Sequence, residues 1–181
     1  MMKNEIDIIR DISAKFSQLN VPFMLTGLLA MNYYSTPRMT RDIDVVVTLE
    51  EVNLTPFVNV FSPQYYLAPE AIAEAMLNES MFNLIHNESI IKVDCIIRKS
   101  SEYRQLEFER RVRITLEDFQ TYIASKEDLI LSKLLWAKPS HSEIQLRDVK
   151  NLLISGYDVP YVAHWAQQLE VNHLLKECLY G

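Results

Sequence analysis

Glycine and cysteine are both scarce in this sequence. Only three glycines and two cysteines occur among 181 residues, so a glycine next to a predicted strand or helix is more informative than usual. Neither the two cysteines nor the four histidines show the spacing of a metal site built from these residue types. A bound cation would therefore need carboxylate ligands.

Long apolar runs and an excess of positive charge are also absent. The formal net charge is -6 and the isoelectric point is about 5.2, which argues against broad, non-specific binding of nucleic acid. The segment 98–113 is locally basic and leaves a restricted nucleic-acid contact open. No stretch approaches the length of a membrane span, and the first residues lack the apolar core of a signal peptide. We therefore expect a cytoplasmic protein with reduced thiols and no membrane contact.

Hydrophobic residues make up 49% of the chain, which is enough to bury a core. Apolar spacing and turn residues predict helices and strands that alternate irregularly up to residue 124. The strands are expected at 21–26, 42–49, 65–67, 111–116 and 119–124 and in a hairpin across 81–97; the helices at 3–19, 27–36, 69–78 and 101–110. From Ser125, a helix-capping candidate, the pattern is helical, with one helix stopping at Gly156. The fold class predicted is α/β (α+β): a mixed β-sheet flanked by helices (1–124) with a C-terminal helical subdomain (125–181).

Two aspartates stand at the start of the predicted strand that is richest in β-branched residues. Side chains alternate along a strand, so Asp42 and Asp44 project from one face while Ile43 enters the core from the other. Asp94 is the one acid in the apolar strand "IIKVDCII". If that strand lies beside the first, the three carboxylates converge.

Converging carboxylates repel one another, and a divalent cation removes that conflict. Mg²⁺ prefers hard oxygen ligands and is commonly bound by carboxylate and phosphate oxygens together. Three carboxylates can hold two metal ions. The sequence thus predicts a Mg²⁺ (or Mn²⁺) site at Asp42, Asp44 and Asp94. A solvated strand edge is the alternative for an Asp-x-Asp pattern considered alone.

A phosphate-binding element precedes the carboxylates. Thr26, Gly27 and Leu28 stand where a short strand gives way to a helix, whose first backbone N–H groups favour anions. Arg38 and Thr40, just before the aspartates, are candidates for contacting phosphate and ordering the loop respectively.

This ordered set resembles the nucleotidyltransferase fold of the DNA polymerase β superfamily. The resemblance rests on Thr26-Gly27-Leu28, then Asp42-Ile43-Asp44, then Asp94. The stretch "PRMTRDID" looks like that of a small bacterial branch that includes abortive-infection and toxin–antitoxin toxins. The segment "KEDLILSKLLWA…RDVKNLL" is similar to the branch's helical motifs, which implies that Lys133 and Asp148 assist the site.

The resemblance implies a metal-dependent transfer of a nucleoside monophosphate from an NTP to a hydroxyl on RNA, protein or a small molecule. Asp42, Asp44, Asp94 and Lys133 would be catalytic, and Thr26, Gly27, Leu28, Arg38, Thr40 and Asp148 would bind nucleotide. The resemblance to toxins also implies a cognate antitoxin as a partner. Leu28 stands where the family has a small residue, often serine. A degenerate binding module without catalysis therefore remains an alternative, and a metal-dependent nuclease is another.

Some residues are expected to have only structural roles. His86 falls in a predicted turn and is expected to be solvated. Trp136, Trp165 and Tyr157 are expected to pack in the helical core. Cys95 adjoins Asp94 but points to the opposite face, which is typical of a buried small hydrophobe.

Overall fold

The fold was analysed in a computed structural model that describes residues 4–37 and 42–181. In chain order its elements are α1 (Glu5–Gln18), β1 (Phe23–Leu25), α2 (Gly27–Tyr34), β2 (Asp42–Val47), a 3-10 turn (Glu51–Asn53), α3 (Leu54–Phe61), β3 (Tyr65–Tyr66), α4 (Pro69–Asn78), β4 (Met81–His86), β5 (Lys92–Ile97), α5 (Glu102–Glu109), β6 (Val112–Leu116), β7 (Phe119–Ile123), α6 (Lys126–Ala137), α7 (Glu143–Leu153), α8 (Val159–Gln168) and α9 (Asn172–Tyr180). Arg38, Thr40 and Arg41 lie outside the described residues.

The strands form one mixed seven-stranded sheet in the order β3-β4-β5-β2-β1-β7-β6. The two central pairings that matter for the site are parallel β2–β5 and antiparallel β1–β2. The sequence prediction of a mixed sheet flanked by helices is confirmed.

Alternation divides the sheet into a packed face and a partly open face. On the packed face, Ile43 and Val45 of β2 lie beside Val93 and Cys95 of β5, and all four are completely buried. Rings of α1 and α3 complete this side, with the Phe57 ring 5.7 Å from the Phe82 ring of β4 in a T-shaped contact. The carboxylates therefore stand on a strand that is anchored by its opposite face.

The C-terminal helices begin at a buried capping site. The Ser125 hydroxyl accepts a hydrogen bond from the Asp128 N–H, as its position in the sequence predicted. The completely buried Asp128 carboxylate accepts hydrogen bonds from the Arg110 guanidinium (3.0 Å) and the Tyr161 hydroxyl (2.7 Å). Asp128 thereby joins α6 to α5 and α8.

One hydrophobic core runs through both the sheet and the C-terminal helices, and the boundary after residue 124 stays a prediction. The helix expected to stop at Gly156 ends earlier, at Leu153, with Ile154 as its cap. Gly156 lies beyond the cap and adopts a left-handed conformation, with φ +80°. Within the described part of the chain, none of the helices is long and apolar enough to cross a membrane.

Candidate active site

Two aspartates face each other across the parallel strands β2 and β5. Asp44 and Asp94 are direct partners in the register, and Asp42 is the partner of Lys92 one step earlier. Since residues two apart share a face, all four side chains rise from the same side of the sheet. Asp42, Asp44 and Asp94 therefore share one face of the sheet, as strand alternation predicts.

The start of α2 lies against Asp44. The Thr26 N–H donates to the Asp44 carbonyl at 2.9 Å, and α2 begins at Gly27, where φ is +63°. A Cβ atom at Gly27 would stand 2.1 Å from the Asp44 Oδ2 atom. Only glycine fits this position, because a side chain would displace the carboxylate and the backbone is in the left-handed region.

The same contact places a helix N-terminus beside a carboxylate. The first N–H groups of a helix have no carbonyl partner inside it and favour anions. Because α2 presents that end next to Asp44, a phosphate group seated there would lie near the carboxylate pair.

Asp44 is held in an unfavourable environment for its charge. Burial raises the pKa of Asp44 to about 6, and the neighbouring carboxylates of Asp94 and Asp42 add to the rise. The positive charges of Lys133 and Lys92 lower this pKa by smaller amounts. Among the described residues, the positive charges near Asp44 thus do not offset its burial and its carboxylate neighbours.

The carboxylate oxygens are the type of ligand that a hard divalent cation prefers. Asp94 is only 8% exposed, and its Oδ1 atom is buried without a hydrogen-bond partner among the described residues. An orphaned buried carboxylate oxygen beside a desolvated carboxylate is suited to a cation that supplies the missing interaction.

The carboxylates do not form a preformed metal site in the described residues. Across residues 4–37 and 42–181, no three His, Cys, Asp or Glu side chains are positioned to hold a metal ion. Instead, the Lys92 ammonium lies 3.2 Å from Asp94 Oδ2 and 3.8 Å from Asp42 Oδ2. Metal binding would therefore require side-chain rearrangement.

The helical part contains a buried ion pair. The Lys133 ammonium donates to Asp148 Oδ2 at 2.8 Å and to Gln145 Oε1 at 3.2 Å, and both charged side chains are almost fully buried. Asp148 is therefore not part of an ordinary surface ion pair. The positive charge of Lys133 also lowers the pKa of Asp44, so the pair acts electrostatically on that carboxylate.

A cleft of about 720 Å³ opens over this face of the sheet. Asp44 and Asp94 are part of its lining, and Val46, Ile96 and Met81 provide apolar lining. The helical wall contributes Ser132, Trp136, Gln145, Arg104 and Glu107, and the remaining lining includes Thr26, Glu79, Arg98 and Lys99. The volume is in the range of sites for small molecules and cofactors.

A hydrogen-bonded cluster stiffens the helical wall of the cleft. Arg104 Nη1 donates to Glu107 at 2.7 Å and to the Ser132 hydroxyl at 2.6 Å, and Ser132 also donates to Glu107. Burial raises the pKa of Glu107, and the Arg104 charge opposes that rise. The cluster fixes α5 against α6 and leaves Arg104 in the cleft lining.

The remaining predicted residues have mixed outcomes. Thr26 is buried, and Leu28 packs against the hydrophobic core. The prediction that His86 is solvated is wrong: it is 2% exposed at the end of β4, and its Nδ1 atom is 2.9 Å from the Ser89 hydroxyl. The prediction that Trp136 packs in the helical core is also wrong, since it is 37% exposed at the cleft.

Sequence reasoning missed two residues at the site, although a signal existed for each. Lys92 precedes Asp94 by two residues and so shares its strand face. Gln145 precedes Asp148 by three and so shares its helix face. Trp165, by contrast, packs as expected, with its ring 5.2 Å from the buried Tyr103 ring.

Comparison with solved structures identifies the architecture. A nucleotidyltransferase-like antigenic protein from Paracoccidioides brasiliensis superposes with a TM-score of 0.64 at 15% identity, covering 94% of this chain and 86% of that one. The fold is that of the nucleotidyltransferases.

Two further structures of this fold are similar over most of their length. The enzyme ANT(2'')-Ia in complex with adenylyl-2''-tobramycin gives a TM-score of 0.61 at 12% identity, with 94% of this chain and 99% of that chain covered. The lincosamide antibiotic adenylyltransferase LnuA, bound to lincomycin, gives 0.55 at 16% identity, with 86% and 100% covered. No protein-family model matches the sequence, and no curated protein matches it either.

Proposed function

We propose that this protein is a divalent-metal-dependent nucleotidyltransferase, which moves a nucleoside monophosphate from an NTP to a hydroxyl acceptor. The observation that carries the proposal is the Asp44–Asp94 pair, in register on one sheet face, with Asp44 against the start of α2. The adenylyltransferases among the similar structures support it at the level of the fold.

The reaction requires one bond to form and one to break. The acceptor oxygen bonds to the α-phosphorus of the NTP, the bond from that phosphorus to the bridging oxygen breaks, and pyrophosphate leaves. A divalent cation held by Asp42, Asp44 and Asp94 would neutralise phosphate charge and polarise the reacting oxygens.

The protein's own groups would hold the reactants in place. The first N–H groups of α2, at Gly27 and Leu28, would bind phosphate oxygens, and Lys133 would supply a positive charge nearby. Asp94 would orient the acceptor hydroxyl and assist removal of its proton. Asp148 would hold the Lys133 ammonium toward the cleft. Arg38 stays a proposed phosphate contact, and Thr40 a proposed nucleotide-binding residue that orders the loop.

The charges that line the cleft are mixed. Beyond Asp44 and Asp94 the lining contains the cations Arg98, Lys99 and Arg104 and the acids Glu79 and Glu107. Arg104 is paired with Glu107, so the lining has no excess of positive charge. The proposal therefore covers acceptor hydroxyls on RNA, protein and small molecules alike.

Nucleotide binding and transfer test the proposal directly. The wild type should bind ATP or another NTP in the presence of Mg²⁺ or Mn²⁺ in calorimetry, and mass analysis should detect an added nucleoside monophosphate on an acceptor. Asp44→Asn and Asp94→Asn should abolish transfer, whereas Glu88→Gln, in the exposed turn after β4, should leave it unchanged. Hydrolysis of RNA without nucleotide transfer would indicate a nuclease instead.

Leu28 separates an active enzyme from a degenerate binding module. Its side chain packs against the core, which favours an open phosphate position. Leu28→Ser should then raise NTP affinity modestly, because one hydroxyl hydrogen bond contributes about 0.5–1.5 kcal/mol. If only the variant bound NTP, Leu28 would be blocking the position and the wild type would be degenerate.

The resemblance to toxin nucleotidyltransferases extends the proposal to a cellular role. Expression of the wild type in a bacterial host should then arrest growth, and Asp44→Asn should relieve the arrest. Growth unaffected by an active wild-type enzyme would count against the toxin role and against a cognate antitoxin, while leaving the transferase proposal intact.

A further inference from the structure

A lysine ammonium stands among the carboxylates at the place where a cation is expected. Lys92 Nζ lies 3.2 Å from Asp94 Oδ2 and 3.8 Å from Asp42 Oδ2. The contact follows from register, because Lys92 is the partner of Asp42 and is two residues before Asp94 on the same strand.

The carboxylates need that positive charge. Asp94 is nearly buried and keeps one oxygen without a hydrogen-bond partner among the described residues, and Asp44 lies beside it in register. Lys133 is held by Asp148 and Gln145. Lys92 pairs directly with two of the three carboxylates, and its side chain is 39% exposed to solvent.

We propose that Lys92 is an internal counter-cation that occupies part of the metal site and must leave before a divalent cation binds. The proposal rests on the function proposed above, since it concerns the same carboxylates. The protein would then bind metal weakly alone and more tightly with an NTP, whose phosphate oxygens provide further ligands and negative charge.

Metal affinity in the absence of nucleotide provides the test. Mn²⁺ should be titrated into the full-length protein by calorimetry, without nucleotide, for the wild type, Lys92→Met and Lys92→Arg. Lys92→Met should bind Mn²⁺ about two- to fivefold more tightly than the wild type, because removing a competing ion pair contributes on the scale of such pairs. Lys92→Arg, which keeps the charge, should resemble the wild type.

A matched control separates a local effect from the loss of one positive charge. Lys138→Met removes a lysine that pairs with Glu170 in the helical part and should leave Mn²⁺ affinity unchanged. Thermal unfolding should also show a lower Tm for metal-free Lys92→Met and a larger Tm gain on adding Mn²⁺ than in the wild type. If Lys92→Met does not fold, Lys92→Gln supports the same measurements.

The possible failures are distinguishable. If the wild type binds Mn²⁺ with NTP but Lys92→Met and the wild type bind Mn²⁺ alone equally, Lys92 is an ordinary cross-strand partner and the inference is overturned. If neither protein binds Mn²⁺ with or without NTP, the proposed function itself fails, and the inference fails with it.

Discussion

Gly27 and Asp44 are in such close contact that a methyl group on the first would collide with the carboxylate of the second. The ideal Cβ position lies 2.1 Å from Asp44 Oδ2 and 2.9 Å from its carboxyl carbon. The start of α2 and the carboxylate on β2 therefore form one unit, and a change to either displaces the other.

Gly27→Ala should lose both stability and metal–nucleotide binding. A left-handed non-glycine residue costs about 1–2 kcal/mol, and the clash with Asp44 adds to that. Gly156→Ala is the matched control, because Gly156 also has a positive φ but nothing within 4 Å of its Cβ position. It should cost only the backbone strain and leave binding intact in urea unfolding and calorimetry. Equal effects of the two substitutions on binding would contradict the contact.

The raised pKa of Asp44 predicts a pH dependence of stability without metal. The carboxyl titrates near 3.8 when unfolded and at about 6 when folded, so between these values the folded state binds more protons. The contribution of Asp44 to the free energy of unfolding therefore decreases as pH rises from about 4 to about 6.

Replacing the carboxyl should remove that slope. Urea unfolding of Asp44→Asn across this pH range, without divalent cations, should show a flatter profile than the wild type, while Glu88→Gln should follow the wild type. An unchanged slope in Asp44→Asn would mean that Asp44 titrates normally in the folded protein.

The buried Lys133–Asp148 pair predicts an asymmetry between single and double substitutions. Lys133→Ala removes the Lys133 ammonium from the buried Asp148 carboxylate and should lower stability by about 3–5 kcal/mol. Lys133→Met combined with Asp148→Leu should recover much of this loss in urea unfolding, because neither charge of the pair then remains buried. Nucleotide transfer should stay impaired in the folded double variant. Full activity there would assign the pair a structural role only.

The buried contacts of Asp128 predict an effect on folding stability that is separate from the carboxylates of the candidate active site. Asp128→Ala removes a buried acceptor shared by Ser125, Arg110 and Tyr161 and should cost about 2–3 kcal/mol, since hydrogen bonds to a charged group contribute more than neutral ones. Asp158→Ala, which removes the exposed cap of α8, should cost about 1 kcal/mol. Thermal or urea unfolding distinguishes these values, and a similar small cost for both would contradict the central role of Asp128.

The sheet and its key strands were predictable because the relevant signals are local. The β-branched run after Asp42 and the apolar run around Asp94 indicated strands, and alternation placed each carboxylate on a definite face. The helix beginning at Gly27 and the cap at Ser125 also follow from neighbours in the sequence. Periodicity could not place His86, because its burial depends on β3, whose Tyr65 ring packs 5.3 Å away.

The sequence by itself determined which residues could form the site, and the tertiary structure decided how they meet. Alternation along each strand fixed the side to which Asp44 and Asp94 point relative to their neighbours in sequence. Only the parallel register of β2 with β5 made them direct partners on the same face. That register also brought Lys92 to Asp42, and helix packing buried Lys133 against Asp148. The physical reason is that alternation is a property of one strand, whereas charge compensation depends on the distances between separate elements, which packing of the whole chain sets.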